Sequence, residues 1–229
     1  MDLAYPLRSV VPSLDGVALE ILASTESALR ISEIRARGDA GSHTGLLKVL
    51  RRLVEHGLVI CEGEKHVLRY RLNREHVLAA GVLTLTGAQR ELVNRVGEAV
   101  FDLAPPPRAA CLLAASNEMR PTQCDQMELL LVRPPAETSG LDRWAAQIDD
   151  LRSAVVAWSG NPVMVTVLAE KNLFEAVRTC TPLRQRLLKT GTVLLGADLV
   201  HRAITRVHPT PAGPPAPDRA VQGEVRRPA

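Results

Sequence analysis

The residues best suited to chemistry are the polar side chains that follow a pair of glycines near residue 40. Three hydrogen-bonding residues come first and three cations follow: Ser42, His43, Thr44, Lys48, Arg51 and Arg52. Serine, histidine and threonine side chains can donate hydrogen bonds to base edges or phosphates, while lysine and arginine suit phosphates. The pattern therefore favours contact with a duplex nucleic acid.

The positive charge around these residues is local. Residues 41–74 contain seven lysines and arginines against three glutamates, whereas the whole chain of 229 residues has a net charge of only +3. A chain that is not a polycation overall binds an anionic partner through such a patch. A solvated helix face and a protein-interaction module stay open as alternative interpretations of the same charge.

A helix is needed to present these side chains, and the sequence predicts one from Ser42 to about His56. Its apolar residues form one wide face at helical spacing: Leu46, Leu47, Val49, Leu50, Leu53 and Val54. Ser42 is a suitable N-cap, and Gly57 suits the left-handed position after the last turn. The polar start of this helix is the part that would enter a major groove.

Two further helices are predicted before this one, beginning near Ser13 and Ser32, and a β-hairpin is predicted after it. The hairpin pairs residues 58–61 with residues 66–72. Helices around a tight turn, followed by a hairpin, are typical of the winged helix-turn-helix arrangement.

In that arrangement the hairpin is the wing, and three of its cations would contact the phosphates beside the groove. They are Lys65, Arg69 and Arg71.

The stretch from Gly41 to His76 resembles the winged helix-turn-helix of a family of actinobacterial two-domain regulators, an architecture shared with ArsR-like and MarR-like repressors. The residues that carry the resemblance are Gly41-Ser42-His43-Thr44, Val49-Leu50, Leu53-Val54, Gly57-Leu58-Val59 and Tyr70 to His76. The resemblance implies binding of double-stranded DNA by a homodimer.

The following region alternates helix and strand patterns, which predicts a mixed α/β domain with helices covering a small sheet. Helices are predicted over residues 84–103, 141–158, 173–179 and 183–189, and strands over residues 109–113, 127–132, 162–169 and 193–195. Trp144 and Trp158 are separated by a whole number of helical turns, so both are expected in the core.

The same region resembles the nucleotidyltransferase-like domain that this family joins to its winged helix. In active members, two aspartates separated by one residue on a strand hold Mg²⁺ against nucleotide phosphates. The resemblance places those positions at Gln126 and Glu128, and the later strand, residues 163–168, has no carboxylate. We therefore expect no catalytic residue, no metal site and no cofactor, with Glu128 as a solvated acid and the residual candidate ligand.

The fold class expected from these patterns is α+β, in three segments. Residues 1–80 form the winged helix-turn-helix, residues 84–204 the nucleotidyltransferase-like domain, and residues 207–229 a disordered tail. The tail holds six of the sixteen prolines and few large apolar side chains, so it cannot bury enough surface to fold.

Membrane insertion and secretion are not expected. The chain has no apolar run of eighteen residues, its first residues lack an apolar signal segment, and its four cysteines are scattered without a CxxC pair. These features favour a cytoplasmic protein with reduced thiols.

The sequence thus predicts a cytoplasmic, sequence-specific regulator of transcription that binds double-stranded DNA through a winged helix. Its second domain would serve dimerisation, partner contact or the sensing of a nucleotide or small-molecule effector. Two alternatives stay open: a Mg²⁺-dependent nucleotidyltransferase targeted by the winged helix, and an antitoxin-like protein-interaction module.

Overall fold

The computed structural model describes residues 1–38, 41–64, 67–114, 127–135 and 140–206. Within these ranges the chain is a mixed α+β protein with nine α-helices, one short 3₁₀ helix and two sheets, in agreement with the predicted class. Lys65, Cys124, Gln126 and the tail at 207–229 lie outside the described residues. None of the described helices is long and apolar enough to cross a membrane.

The first part of the chain combines three helices with a small antiparallel sheet. Its elements are a 3₁₀ helix (Pro6–Ser9), α1 (Leu14–Ala23), β1 (Leu29–Arg30), α2 (Ile31–Arg37), α3 (His43–Glu55), β2 (Val59–Glu62) and β3 (Arg69–Leu72). The sheet order is β1-β3-β2, with Cys61 opposite Tyr70. Side chains with almost no exposure, among them Leu22, Ile34 and Leu50, form the core that joins the helices to the sheet.

The local signals for α3 are confirmed. The Ser42 side chain accepts a hydrogen bond from the Gly45 amide at 3.0 Å, and Gly57 has a φ of +74°. The return strand of the hairpin is shorter than predicted, because it begins at Arg69. The two-residue strand β1 was not predicted, since so short a segment has no pattern of its own.

The helix predicted over residues 84–103 is wrong in its extent. Two helices, α4 (Ala79–Thr86) and α5 (Ala88–Phe101), meet at Gly87. Helix α4 includes residues 81–83, which were assigned to neither predicted domain. Its Val82 is buried in the first core. The domain division itself stays a prediction.

The second part of the chain is a four-stranded mixed sheet with helices on both faces. Its elements are β4 (Ala109–Ala114), β5 (Met127–Val132), α6 (Trp144–Ser159), β6 (Val163–Leu168), α7 (Glu170–Thr179), α8 (Thr181–Lys189), β7 (Gly191–Leu195) and α9 (Ala197–Thr205). The strand order is β6-β5-β4-β7, with β5 parallel to β6 and β4 antiparallel to β5 and β7. The predicted strands are confirmed, β5 with identical bounds, whereas α9 was not predicted.

Alternate residues of β5 point to two separate cores. Leu129 and Leu131 lie in a core with residues of α5 and α6, and Leu130 and Val132 lie in a core with residues of α7, α8 and α9. Glu128 is two residues from Leu130 and four from Val132, so its side chain lies on the same face of the sheet as theirs. This alternation places an acidic side chain on a mainly apolar face of the sheet.

Only one tryptophan of α6 is in the core. Trp144 is 4% exposed, but Trp158 is 39% exposed, so the prediction for Trp158 was wrong. The buried stripe of α6 passes through Val155 and Ser159 in its last turns, and this leaves Trp158 at the side.

The N-terminal segment connects the two parts. Leu3 is buried in the second part against the core that contains Leu92 and Val96 of α5. Leu7, in the 3₁₀ helix, is buried in the first core. A few residues of chain therefore pack against both cores.

Candidate nucleic-acid interface

The outer face of α3 is uncovered. His43, Thr44, Lys48 and Arg51 are all exposed, whereas Leu50 and its apolar neighbours on the opposite face are buried. None of these four outer side chains has an ion-pair partner among the described residues. Their charges and hydrogen-bonding groups are therefore available to a ligand.

Ser42 is the N-cap of α3. Its Oγ accepts the Gly45 amide hydrogen bond that caps the helix, and its side chain stays exposed. An N-cap satisfies one of the amides that the first turn leaves without a partner. The hydroxyl hydrogen can still be donated outward, so Ser42 can cap the helix and contact a ligand at once.

Arg52 differs from the other cations of α3 because it is ion-paired with Asp15 of α1. Burial raises the pKa of Asp15, but the hydrogen bonds from Arg52 and Ser13 outweigh this effect and the pKa is lowered overall. The Arg52 side chain is still 54% exposed. Arg52 therefore connects α3 to α1 through an ion pair, and Asp15 neutralises part of its charge.

The described cations of the hairpin also have protein partners. Arg71 Nε donates to Glu62 Oε1 at 2.6 Å across the two strands, and Arg69 Nη1 donates to the Ala28 carbonyl at 3.3 Å. Lys65 lies outside the described residues. Arg69 and Arg71 thus hold the small sheet together and are less available to phosphates than Lys48 and Arg51.

Two further cations, which the sequence analysis did not single out, lie on the neighbouring helix α2. Arg35 and Arg37 are exposed in its last turn and have no ion-pair partner among the described residues. Helix α2 packs against α3. The signal that could have found them is their place directly before the glycine turn that leads into α3.

In the second part of the chain, Glu128 is not solvated as predicted. It is 8% exposed, its Oε2 is 2.7 Å from Arg186 Nη2, and its Oε1 accepts a hydrogen bond from Thr166 Oγ1 at 3.0 Å. Arg186 comes from α8 and Thr166 from β6. The prediction was wrong because the partners of Glu128 lie far along the chain.

These residues do not fit a catalytic magnesium ion. Magnesium needs oxygen ligands with negative charge, yet both Glu128 oxygens already have partners and one of these is a cation. The described part of the chain contains no group of three or more histidine, cysteine, aspartate or glutamate side chains that could hold a metal. Gln126, the other position of the expected pair, lies outside the described residues.

Neither protein-family models, nor curated proteins, nor solved structures match the chain.

Proposed function

We propose that this chain is a sequence-specific regulator of transcription that binds double-stranded DNA. In this proposal α1, α2 and α3 with the β2–β3 hairpin form a winged helix-turn-helix, and α3 is the helix that enters the major groove. The order of these elements and the contact between α2 and α3 support the assignment.

The observation that carries the proposal is the uncovered outer face of α3. His43 and Thr44 lie in the first turn, where side chains reach base edges, and Lys48 and Arg51 lie one and two turns later, where side chains reach phosphates. The positive end of the helix dipole lies at the same N-terminal turn. Base contacts and phosphate contacts are thus separated along one face.

In this proposal the second part of the chain is a nucleotidyltransferase-like scaffold without catalytic function. An antiparallel pair, β4 and β5, followed by a parallel β6 supports this assignment. Its expected role is dimerisation, partner contact or ligand sensing, and the proposed active form is a cytoplasmic homodimer. Nucleotidyl transfer is not proposed, because Glu128 is held by Arg186 and Thr166.

DNA fragments selected from a random pool provide the test. Their affinity for the chain is measured by fluorescence anisotropy at several salt concentrations. Arg51→Ala should lower the slope of log affinity against log salt by about one phosphate contact. Thr44→Ala should instead change which fragments are selected. Arg178→Ala removes the same charge from an exposed position on α7 and should leave the slope unchanged.

An equal change in the Arg51 and Arg178 variants would show that the charge acts non-specifically and would contradict docking through α3. Absence of any affinity for duplex DNA at low salt would refute the proposal and favour the protein-interaction alternative. Sedimentation equilibrium tests the dimer separately, since it should give twice the chain mass of 24.8 kDa.

A further inference from the structure

A cleft lies between α5, the sheet and the N-terminal segment. Its floor is apolar and buried, and is formed by Leu3, Leu92, Leu112 and Met127. Its outer edge carries exposed polar side chains, among them Gln89 and Thr192. An apolar floor with a few polar groups at the edge is the usual build of a small-molecule site.

The chemistry of this lining restricts the ligand. Among the residues that the structure describes, none that lines the cleft is charged. A phosphate or carboxylate on the floor would therefore lose its hydration without gaining a counter-ion, which is costly. The Thr190 hydroxyl at the edge donates to the Arg186 carbonyl at 3.1 Å, while the Gln89 amide and the Thr192 hydroxyl have no hydrogen-bond partner among the described residues. These two groups can pair with one polar group of a ligand.

The size of the cleft restricts the ligand further. The cavity volume is about 40 Å³, which is room for roughly three water molecules at about 10–15 Å³ each. The exposed edge leaves one side open to solvent, so the floor holds only part of a compact apolar ligand, and the rest of the ligand, with its polar group, lies at the edge.

We propose that this cleft binds a small, uncharged and mainly apolar molecule that carries one hydroxyl, carbonyl or amide group. The inference goes beyond DNA binding and does not depend on it. The position gives such a ligand contact with α5 and with Leu3, whose segment also reaches the first core through Leu7.

Methyl-detected NMR of the full chain tests the proposal with cyclopentanol as the probe. The methyl signals of Met127, Leu112 and Leu92 should shift together and saturate as cyclopentanol is added. Cyclopentanecarboxylate has the same ring with a charge, and it should bind at least roughly tenfold more weakly, because the described lining supplies no counter-ion and Gln89 and Thr192 replace the hydration of a carboxylate less fully than that of a hydroxyl.

A pair of neighbouring substitutions on β7 locates the binding. Thr192→Phe places a ring in the cleft and should weaken cyclopentanol binding at least about tenfold, because the ring occupies space that the ligand needs. Val193→Phe is the matched control, because Val193 is exposed and pairs with Cys111, on the opposite face of the sheet from Leu112. This variant should bind like the original chain. If Thr192→Phe does not fold, Val93→Phe fills the cleft from α5 instead.

Three results would overturn the proposal. They are the lack of any saturable shift with cyclopentanol, a carboxylate that binds as tightly as the alcohol, and full affinity in a folded variant with the cleft filled.

Discussion

Two arginines, one in each part of the molecule, show how differently the chain uses the same side chain. Arg51 on α3 is exposed and has no acidic partner among the described residues. Arg186 on α8 is only 29% exposed, its Nε is sealed from solvent, and its guanidinium is 2.7 Å from the Glu128 carboxylate. A buried cation must carry its own counter-ion, whereas an exposed cation keeps its charge for a partner. Charge available for binding is therefore judged by what surrounds a residue, since a count of arginines treats both alike.

The largest expected effect comes from breaking the internal pair. Glu128→Ala should lower the free energy of unfolding by about 2–4 kcal/mol, because it leaves the Arg186 guanidinium partly buried without an acid. Urea unfolding followed by circular dichroism measures this loss.

The control for that prediction is an exposed pair on α6. Arg152 and Asp149 are 2.9 Å apart with both side chains more than half exposed, so Asp149→Ala should cost less than about 0.5 kcal/mol. The double variant Glu128→Leu/Arg186→Met should recover most of the loss, since it removes both charges together. Equal losses in the two single variants would mean that the interior pair has no special role.

The next effect separates the two neighbouring arginines of α3. Arg51→Ala should reduce the salt dependence of DNA binding and leave stability unchanged. Arg52→Ala should lower stability slightly and change the salt dependence less, because Arg52 is already paired with Asp15. Anisotropy titrations and urea unfolding of both variants measure the two quantities. Identical salt slopes and identical stabilities in the two variants would show that Arg51 and Arg52 do not have these different roles.

A smaller effect concerns pH and a buried acid of the first part. Burial raises the pKa of Glu20 above 4.5; the hydrogen bond it accepts from the Leu7 amide at 2.9 Å offsets this only in part, the nearby Asp2 raises the pKa further and Arg8 lowers it. The folded chain therefore keeps this proton more readily than the unfolded chain does.

The free energy of unfolding should then decrease as the pH rises from 4.5 through the raised pKa of Glu20. Asp15 on the same helix has a lowered pKa, so its contribution has the opposite sign and is lost as the pH falls through the Asp15 pKa. Urea unfolding over a series of pH values, with Glu20→Gln as the comparison, measures the difference. A Gln variant with the same pH dependence as the original chain would exclude Glu20 as its source.

The smallest effect leaves stability unchanged and concerns thiol reactivity. Burial raises the pKa of Cys111 to about 11, whereas Cys180 is exposed. Because the thiolate is the reactive form, iodoacetamide should label Cys180 in the folded chain and reach Cys111 only after unfolding in urea. Peptide mapping by mass spectrometry measures both rates, and similar rates in the folded chain would contradict the burial of Cys111.

Features with a local signal could be predicted from the sequence. The Ser42 cap, the left-handed Gly57 and the bounds of β5 each follow from a few adjacent residues. The pairs Arg52–Asp15 and Arg186–Glu128 could not be predicted, since the partners in each pair are distant in sequence. For that reason the sequence identifies the cations of α3 but not which of them are available.

Elements with a weak pattern were missed for a different reason. Strand β1 exists because Leu29 and Arg30 pair with β3, and two residues alone contain no periodicity. Helix α4 is short, contains Gly81, and is held by the packing of Val82 in the first core. In both cases tertiary contact decides the structure and local propensity does not.

The position of Leu3 has a consequence for the order in which the chain assembles. Leu3 is translated before every other fully buried residue of its core, while the helices and hairpin of the first core pack largely against near neighbours in sequence. Contacts between near neighbours in sequence can form early during synthesis, so the first core can pack before α5, which buries Leu3, has been translated. The N-terminal segment can then reach its final position only after α5 and the strands that bury Leu3 have been translated.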